Sequence, residues 1–150
     1  MARVSIEVPE QLEFEVELPI LISHINRGDH LGNESLVSLL NEARVQFLRS
    51  RGVAEWGAQS RQVVNADLAV IYKSEGRYGE RLRIALGVGA RHRCGYDLLY
   101  RVVEADSGRL IALAKTAHLL IDTRTGRPLD AADIHRQLDR GSLDSGGAIP

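Results

Sequence analysis

One amphipathic segment followed almost entirely by strand patterns is the feature that most limits how this 150-residue chain can fold. Leu36, Leu39, Leu40, Ala43 and Phe47 fall at i, i+3, i+4, i+7 and i+11, along one side of a 3.6-residue period. The spacing predicts a helix over residues 34–51, about 27 Å long at 1.5 Å per residue. Asn33 is the expected N-cap, because its side-chain carbonyl can accept from an early helical N–H. Gly52 is the expected C′ residue, because it tolerates positive φ. Ser35, Glu42 and Gln46 fall beside the apolar stripe, in a strip that can face a half-buried pocket.

Most of the remaining chain alternates with period two. Phe14 to Leu18 does so, and Pro19 just beyond marks a strand end or an edge position. Val63 to Lys73 is rich in β-formers and runs into Ser-Glu-Gly-Arg-Tyr-Gly, which has turn composition. From Arg81 onward Leu82, Ile84, Leu86 and Val88 point one way. Arg81, Arg83, Ala85, Gly87, Gly89, Arg91 and Arg93 point the other. Tyr96 to Ala105 and Leu110 to Asp122 give two more strands, joined at Asp106-Ser107-Gly108 by a short hairpin turn. Long strands with short connections after one long helix imply an α+β fold, with an antiparallel sheet packed on that helix. Neither a repeat nor a linker divides the chain. Residues 1–141 are therefore expected as one domain with a short helical segment near Ala131 to Leu138, and residues 142–150 as a disordered tail.

Composition sets the surroundings. The apolar fraction of 44% suffices for a real core, and a net charge of −1 makes no general case for nucleic acid or membrane as a partner. A lone cysteine, Cys94, excludes an internal disulfide framework and fits a reducing compartment. No apolar run approaches a membrane span, and the glutamate-rich first 20 residues carry no signal-peptide pattern. The cytoplasm is the expected location. His92, His118 and His135 show no ligand spacing with cysteine or carboxylate, so no metal is expected.

Chemistry is concentrated in residues 24–44, where a polar loop holding Asn26, Asp29 and His30 runs straight into the helix. A helix start leaves backbone N–H groups unpaired and carries partial positive charge, while the loop offers a carboxylate and an imidazole to the same volume. These are parts for acyl transfer or hydrolysis.

The residues His30-Leu31-Gly32-Asn33, Glu42-Ala43-Arg44, Tyr72, Gly79-Glu80-Arg81-Leu82 and Asp122-Thr123-Arg124-Thr125-Gly126-Arg127-Pro128 come in an order that resembles one family. It is that of the hot-dog-fold acyl-CoA thioesterases of the 4-hydroxybenzoyl-CoA thioesterase type, and the likeness spans roughly residues 12–130. The resemblance implies a long helix wrapped by a curved antiparallel sheet. It also implies sheets paired edge to edge in a homodimer or homotetramer, with active sites at the subunit interface; that pairing would use the Leu82 to Arg93 strand or a neighbour. One departure matters. Against the family pattern Asp-x-x-Gly-His-x-Asn-Asn, Asn26 stands where the usual acid belongs and Asp29 stands at the glycine. An amide can hydrogen-bond a water or a thioester oxygen but cannot act as a base.

The expected function is therefore hydrolysis of acyl-CoA thioesters, with coenzyme A entering as part of the substrate and no separate cofactor. Asp29, or Glu42 from the helix, would activate water or attack, Asn26 and His30 would position the reactants, and the amides around Leu31, Gly32 and Asn33 would hold the oxyanion. Arg81, Arg83, Arg91 and Arg93 form a basic stripe that suits the phosphates of CoA. Each residue also has a structural reading. Asp29 can hold a turn, His30 can orient the loop, Asn26 can make an Asx turn, Glu42 can pair with Arg44, and the stripe can be a solvated sheet face. Cys94 reads as a packed thiol. The alternatives are a non-catalytic acyl-CoA-binding module and a hot-dog dehydratase or other lyase.

Overall fold

The computed structural model describes residues 3–57 and 59–140. Strand β1 is Phe14–Pro19, helix α1 is Asn33–Ser50, β2 is Arg61–Tyr72, β3 is Arg81–His92, β4 is Gly95–Glu104, β5 is Leu110–Asp122, and helix α2 is Ala132–Asp139; a 3-10 turn, Ile22–His24, follows β1. Each expected strand and helix forms, with its ends shifted by no more than two residues. The tail expected at residues 142–150 lies outside the described residues.

The expected caps of α1 divide into one correction and one match. Asn33 lies inside the first turn, and the Leu36 N–H donates to the Gly32 carbonyl at 3.0 Å, so Gly32 holds the cap position. At the far end Gly52 has φ +72°, its N–H donates to Arg49 O at 3.1 Å, and the Val53 N–H reaches back to Leu48 O at 2.9 Å. That pair of bonds is a Schellman closure, which satisfies the last carbonyls and needs the left-handed residue that glycine supplies.

The sheet order is β1-β3-β4-β5-β2. β1 pairs antiparallel with β3 from Phe14↔Leu86 to Pro19↔Arg81. Beside β5 the residue numbers of β2 run in opposite order, since Lys73 N–H donates to Ile111 O and Thr123 N–H to Ser60 O, each at 2.8 Å. β3 therefore has a partner on both sides, so of the two options expected for pairing sheets, the Leu82 to Arg93 strand or a neighbour, only the neighbour β1 has an edge open to it. The open edges belong to β1 and β2, where backbone donors and acceptors lack a neighbouring strand. Pro19 fits its edge position because it has no N–H to contribute.

The described residues group into two compact units. One comprises the chain up to Arg44 with Ala69–Gly87 and Leu99–Lys115. Its core holds Leu36, Leu40, Leu82, Ile84, Leu86 and Tyr100, all fully buried. Burying each such aliphatic side chain contributes on the order of 1.5–3 kcal/mol. The other comprises Val45–Leu68, Val88–Leu98 and the chain from Thr116 onward. Phe47, Leu48, Tyr96, Leu98, Leu120 and Leu138 are its buried residues. Arg51, itself buried, donates to Leu138 O at 2.6 Å and ties α2 to the segment after α1.

Candidate functional site

The loop before α1 is shaped by its own polar groups. The Asn26 N–H donates to His30 O at 2.9 Å, and the Asp29 N–H donates to Asn26 O at 3.1 Å. The Asn26 side-chain oxygen accepts the Gly28 N–H at 2.9 Å and the His30 N–H at 3.5 Å, the arrangement of an Asx turn. Asp29 adopts φ +66°, a left-handed conformation that aspartate tolerates better than most residues. Asp29 sits exposed at the loop tip, and Asn26 points its acceptor at the loop's own backbone.

Where the loop leaves for the helix, the Leu31 N–H donates to Gly76 O at 2.8 Å and the Gly32 N–H donates to His24 O at 3.0 Å. The amides of Leu31 and Gly32, expected as oxyanion donors, therefore already serve neighbouring backbone. The first-turn N–H groups of Asn33, Glu34 and Ser35 have no intrahelical acceptor. Glu34 folds its carboxylate back toward Gly32, close enough that a Cβ on that glycine would stand 2.6 Å from Oε1. It occupies the positive end of the helix dipole.

The second wall is the β2–β3 connection, residues 73–80. Gly76 is buried there, and a Cβ on it would stand 2.8 Å from Ile20 Cδ1 and 3.3 Å from Leu31, so this close approach requires glycine. Arg109 braces the connection from outside, donating to Ser74 Oγ at 3.3 Å, Glu75 O at 2.8 Å and the Glu80 carboxylate at 3.0 and 3.2 Å. Between the walls lies a cleft of about 320 Å³, lined by His30, Asn33, Leu36, Tyr72, Glu75 and Ile111 among others. His30 places Nδ1 3.3 Å from Leu31 O and Nε2 3.6 Å from Glu75 Oε1. The other Glu75 oxygen lies 3.6 Å from Arg77. The Tyr72 hydroxyl donates to Asn33 O at 3.4 Å, and its pKa is raised, first by burial and second by the Glu34 charge.

The structure thus brings His30, Leu31, Gly32 and Asn33 to one cleft. Asn26 and Asp29 stay on the adjoining loop. Glu42 is exposed and nine residues beyond Asn33, about 13.5 Å along the helix axis, so it does not meet His30 within one chain. The residue that sequence reasoning missed is Glu75, which sat inside a segment read only as a turn.

The basic stripe is not bare. Arg81 lies 3.5 Å from Glu17, and Arg83 lies 3.0 Å from Glu15 and 3.3 Å from Glu17. Arg91 lies 2.7 Å from Asp139 and Arg93 3.7 Å from Asp130. A phosphate arriving here would compete with a carboxylate already at each guanidinium. The other histidines have local partners too: His92 meets Asp97 at 3.0 Å, His118 meets Thr116 at 2.7 Å, and His135 meets Gly95 O at 2.8 Å. Among the described residues no group of three or more His, Cys, Asp or Glu side chains could hold a metal, and no helix is long and apolar enough to cross a membrane.

Comparison with known proteins gives this geometry a family. The model of the thioesterase-like superfamily matches residues 20–138, and the chain belongs to that superfamily. A 1,4-dihydroxy-2-naphthoyl-CoA thioesterase from Synechocystis is similar in structure, with TM-score 0.78 and 15% identity over 83% of this chain and 93% of that one. A DHNA-CoA thioesterase from Staphylococcus aureus gives TM-score 0.75 and 18% identity over 82% and 86%. A probable thioesterase from Escherichia coli gives 0.73 and 16% over 85% and 98%. At these identities the likeness establishes the fold, which is the hot-dog fold with its long helix and curved five-stranded antiparallel sheet. No curated protein sequence matches the chain.

Proposed function

We propose that this protein hydrolyses acyl-CoA thioesters to the free acid and CoA. The observation that carries the reading is that the open end of α1 and the His30 ring share one cleft of about 320 Å³. The thioester carbonyl would point at the amides of Asn33, Glu34 and Ser35, with the Glu34 carboxylate turned outward, so that negative charge develops where the helix dipole and first-turn donors favour it. Of Asp29, His30 and Glu42, His30 is the one that lines the cleft, and we assign it the proton of the attacking water. Asn26 shapes the loop that carries it, and Asp29 adds negative charge beside it. Glu42 could join only from a second copy, in the interface arrangement expected of a homodimer or homotetramer.

Water attacks the carbonyl carbon, the C–S bond breaks as the tetrahedral intermediate collapses, and the proton on His30 passes to the departing thiolate. CoA thiolate leaves readily, so a strong acid is dispensable. Aromatic acyl groups, 4-hydroxybenzoyl among them, are the first substrates to try. Tyr72, Leu36 and Ile111 supply the apolar lining, and the similar structures include a 1,4-dihydroxy-2-naphthoyl-CoA thioesterase and a DHNA-CoA thioesterase. The use of the Asn26 oxygen by its own loop favours a second reading, an acyl-CoA-binding module without turnover. A hydrolysis screen over short, medium, long and aromatic acyl-CoAs with free-thiol detection separates the two. Thiol release above that of a His30→Gln control is the expected result, and saturable binding without release would establish the module instead.

A further inference from the structure

We propose that Glu75 is a positioning residue for His30, forming a carboxylate–imidazole pair that supports the ring when it takes up the water's proton. The proposal rests on the assignment of His30 as the proton acceptor and extends it to a residue from a different part of the chain.

The tautomer is set locally. A carbonyl oxygen only accepts, so Leu31 O, 3.3 Å from Nδ1, pairs with a proton on that nitrogen and leaves the lone pair of a neutral ring on Nε2. Nε2 is the nitrogen that faces Glu75, at 3.6 Å from Oε1. In the neutral ring this contact joins two acceptors and contributes little. Once Nε2 takes a proton, the same contact becomes an attractive ion pair. The carboxylate therefore favours the charged ring selectively, which a base needs at the moment of proton transfer. Atoms balance without another reactant: the water O–H bond breaks, its proton goes to Nε2, its oxygen bonds to the carbonyl carbon, and the same proton then leaves with the thiolate.

The approach of the two side chains is built in. His30 and Glu75 immediately precede Leu31 and Gly76, which are joined by the 2.8 Å bond from Leu31 N–H to Gly76 O. Gly76 is wedged between Ile20 and Leu31, and Arg109 holds the Glu75 carbonyl at 2.8 Å. Arg77 lies 3.6 Å from the second carboxylate oxygen. The other titratable or charged groups around the ring are Asp29 on its own loop, Glu34 at the helix opening, and Tyr72 and Lys73 at the end of β2. None of them is recorded at a ring nitrogen; Glu75 is.

The test compares wild type, Glu75→Gln and Glu75→Asp in two readouts. The first needs no substrate: the titration midpoint of the His30 ring followed by NMR in the intact protein. Glu75→Gln should lower it, as expected for losing a negative charge 3.6 Å from the ring nitrogen, and Glu75→Asp should keep part of the difference. The second is the pH dependence of kcat/KM with benzoyl-CoA. The acid-side inflection should move to lower pH in Glu75→Gln, with kcat reduced about tenfold and KM changed less than about threefold. Equal midpoints in wild type and Glu75→Gln overturn the proposal. A lowered midpoint with an unmoved inflection overturns the catalytic part, because Glu75 would then touch His30 without serving it in the reaction. If no acyl-CoA is turned over by wild type, the hydrolase reading fails, and the midpoints alone decide whether the pair exists. The Glu75 side chain is 56% exposed, so both variants should melt within a few degrees of wild type, and a thermal scan verifies it.

Discussion

The two ends of α1 are finished in opposite ways. At the C-terminal end Gly52 closes the helix with two backbone bonds, and Arg51 adds a bond to Leu138 O. At the N-terminal end the first-turn N–H groups of Asn33, Glu34 and Ser35 have no intrahelical acceptor, and Asn33 lines a cleft that also holds the His30 imidazole and the Glu75 carboxylate. A cleft of about 370 Å³ exists at the C-terminal end as well, but Val45, Leu48, Val53 and Trp56 dominate its lining and it contains no histidine. The contrast makes a cavity a candidate for chemistry when the start of a helix and a titratable ring both line it. Closure serves stability, and an unclosed end retains hydrogen-bonding capacity for a ligand.

The sharpest way to break this comparison is at His30. His30→Gln should reduce thioester hydrolysis at least about 100-fold while Tm moves little, as expected for losing general-base catalysis. A loss of less than about tenfold in steady-state kinetics would remove His30 from the chemistry. Gly52→Ala probes the closed end. Forcing a Cβ into φ +72° should lower Tm by about 3–6 °C, with kcat/KM unchanged. A Gly52→Ala protein that keeps its Tm but loses activity would reverse the roles given to the two ends.

Acid should weaken structural carboxylates away from the cleft. The hydrogen bond from Arg61 chiefly lowers the Asp133 pKa, and the Asp106 N–H chiefly lowers that of Glu104 in the β4–β5 turn. Folded values below the unfolded ones mean stability that is complete above the ordinary carboxylate range and is lost as pH falls through the folded values, below about pH 4. Tm measured from pH 7 down to pH 2.5 should fall in that window, and Asp133→Asn should start lower at neutral pH and converge with wild type in acid. Parallel curves would show that the Arg61 pair contributes nothing to this dependence.

The smallest effects are expected on the exposed loop and on the arginine stripe. Asp29→Asn, which keeps a side chain suited to φ +66°, should change turnover by less than about fivefold if His30 is the base. A drop of about 100-fold would return the role to Asp29. Replacing Arg91 and Arg93 by alanine should change the KM for acyl-CoA by less than about threefold, because their guanidiniums already face Asp139 and Asp130 and exposed pairs are worth little either way. A tenfold rise that added salt reproduces in wild type would instead place the nucleotide phosphates there.

Periodicity alone determined the elements of this protein. The 3.6-residue spacing from Leu36 to Phe47 and the alternation from Leu82 to Leu86 each encode a buried face within a dozen residues, and both faces are buried as expected. Gly52 was legible for the same reason, since a helix end is a local event. The loop at Asn26, Asp29 and His30 was legible as a place but not as an arrangement. Whether Asn26 turns its oxygen to a ligand or to Gly28 depends on the fold of five residues, and whether the Leu31 and Gly32 amides are available depends on Gly76 and His24. Glu75 could not be found from the sequence at all. Residues 30 and 75 share no periodic relation, and they meet because backbone pairing at Leu31 and Gly76 sets two connections side by side. Local sequence fixes which backbone torsions and faces are favourable. Only tertiary structure decides which polar groups remain after the backbone has satisfied itself, because that depends on partners the chain brings from far away.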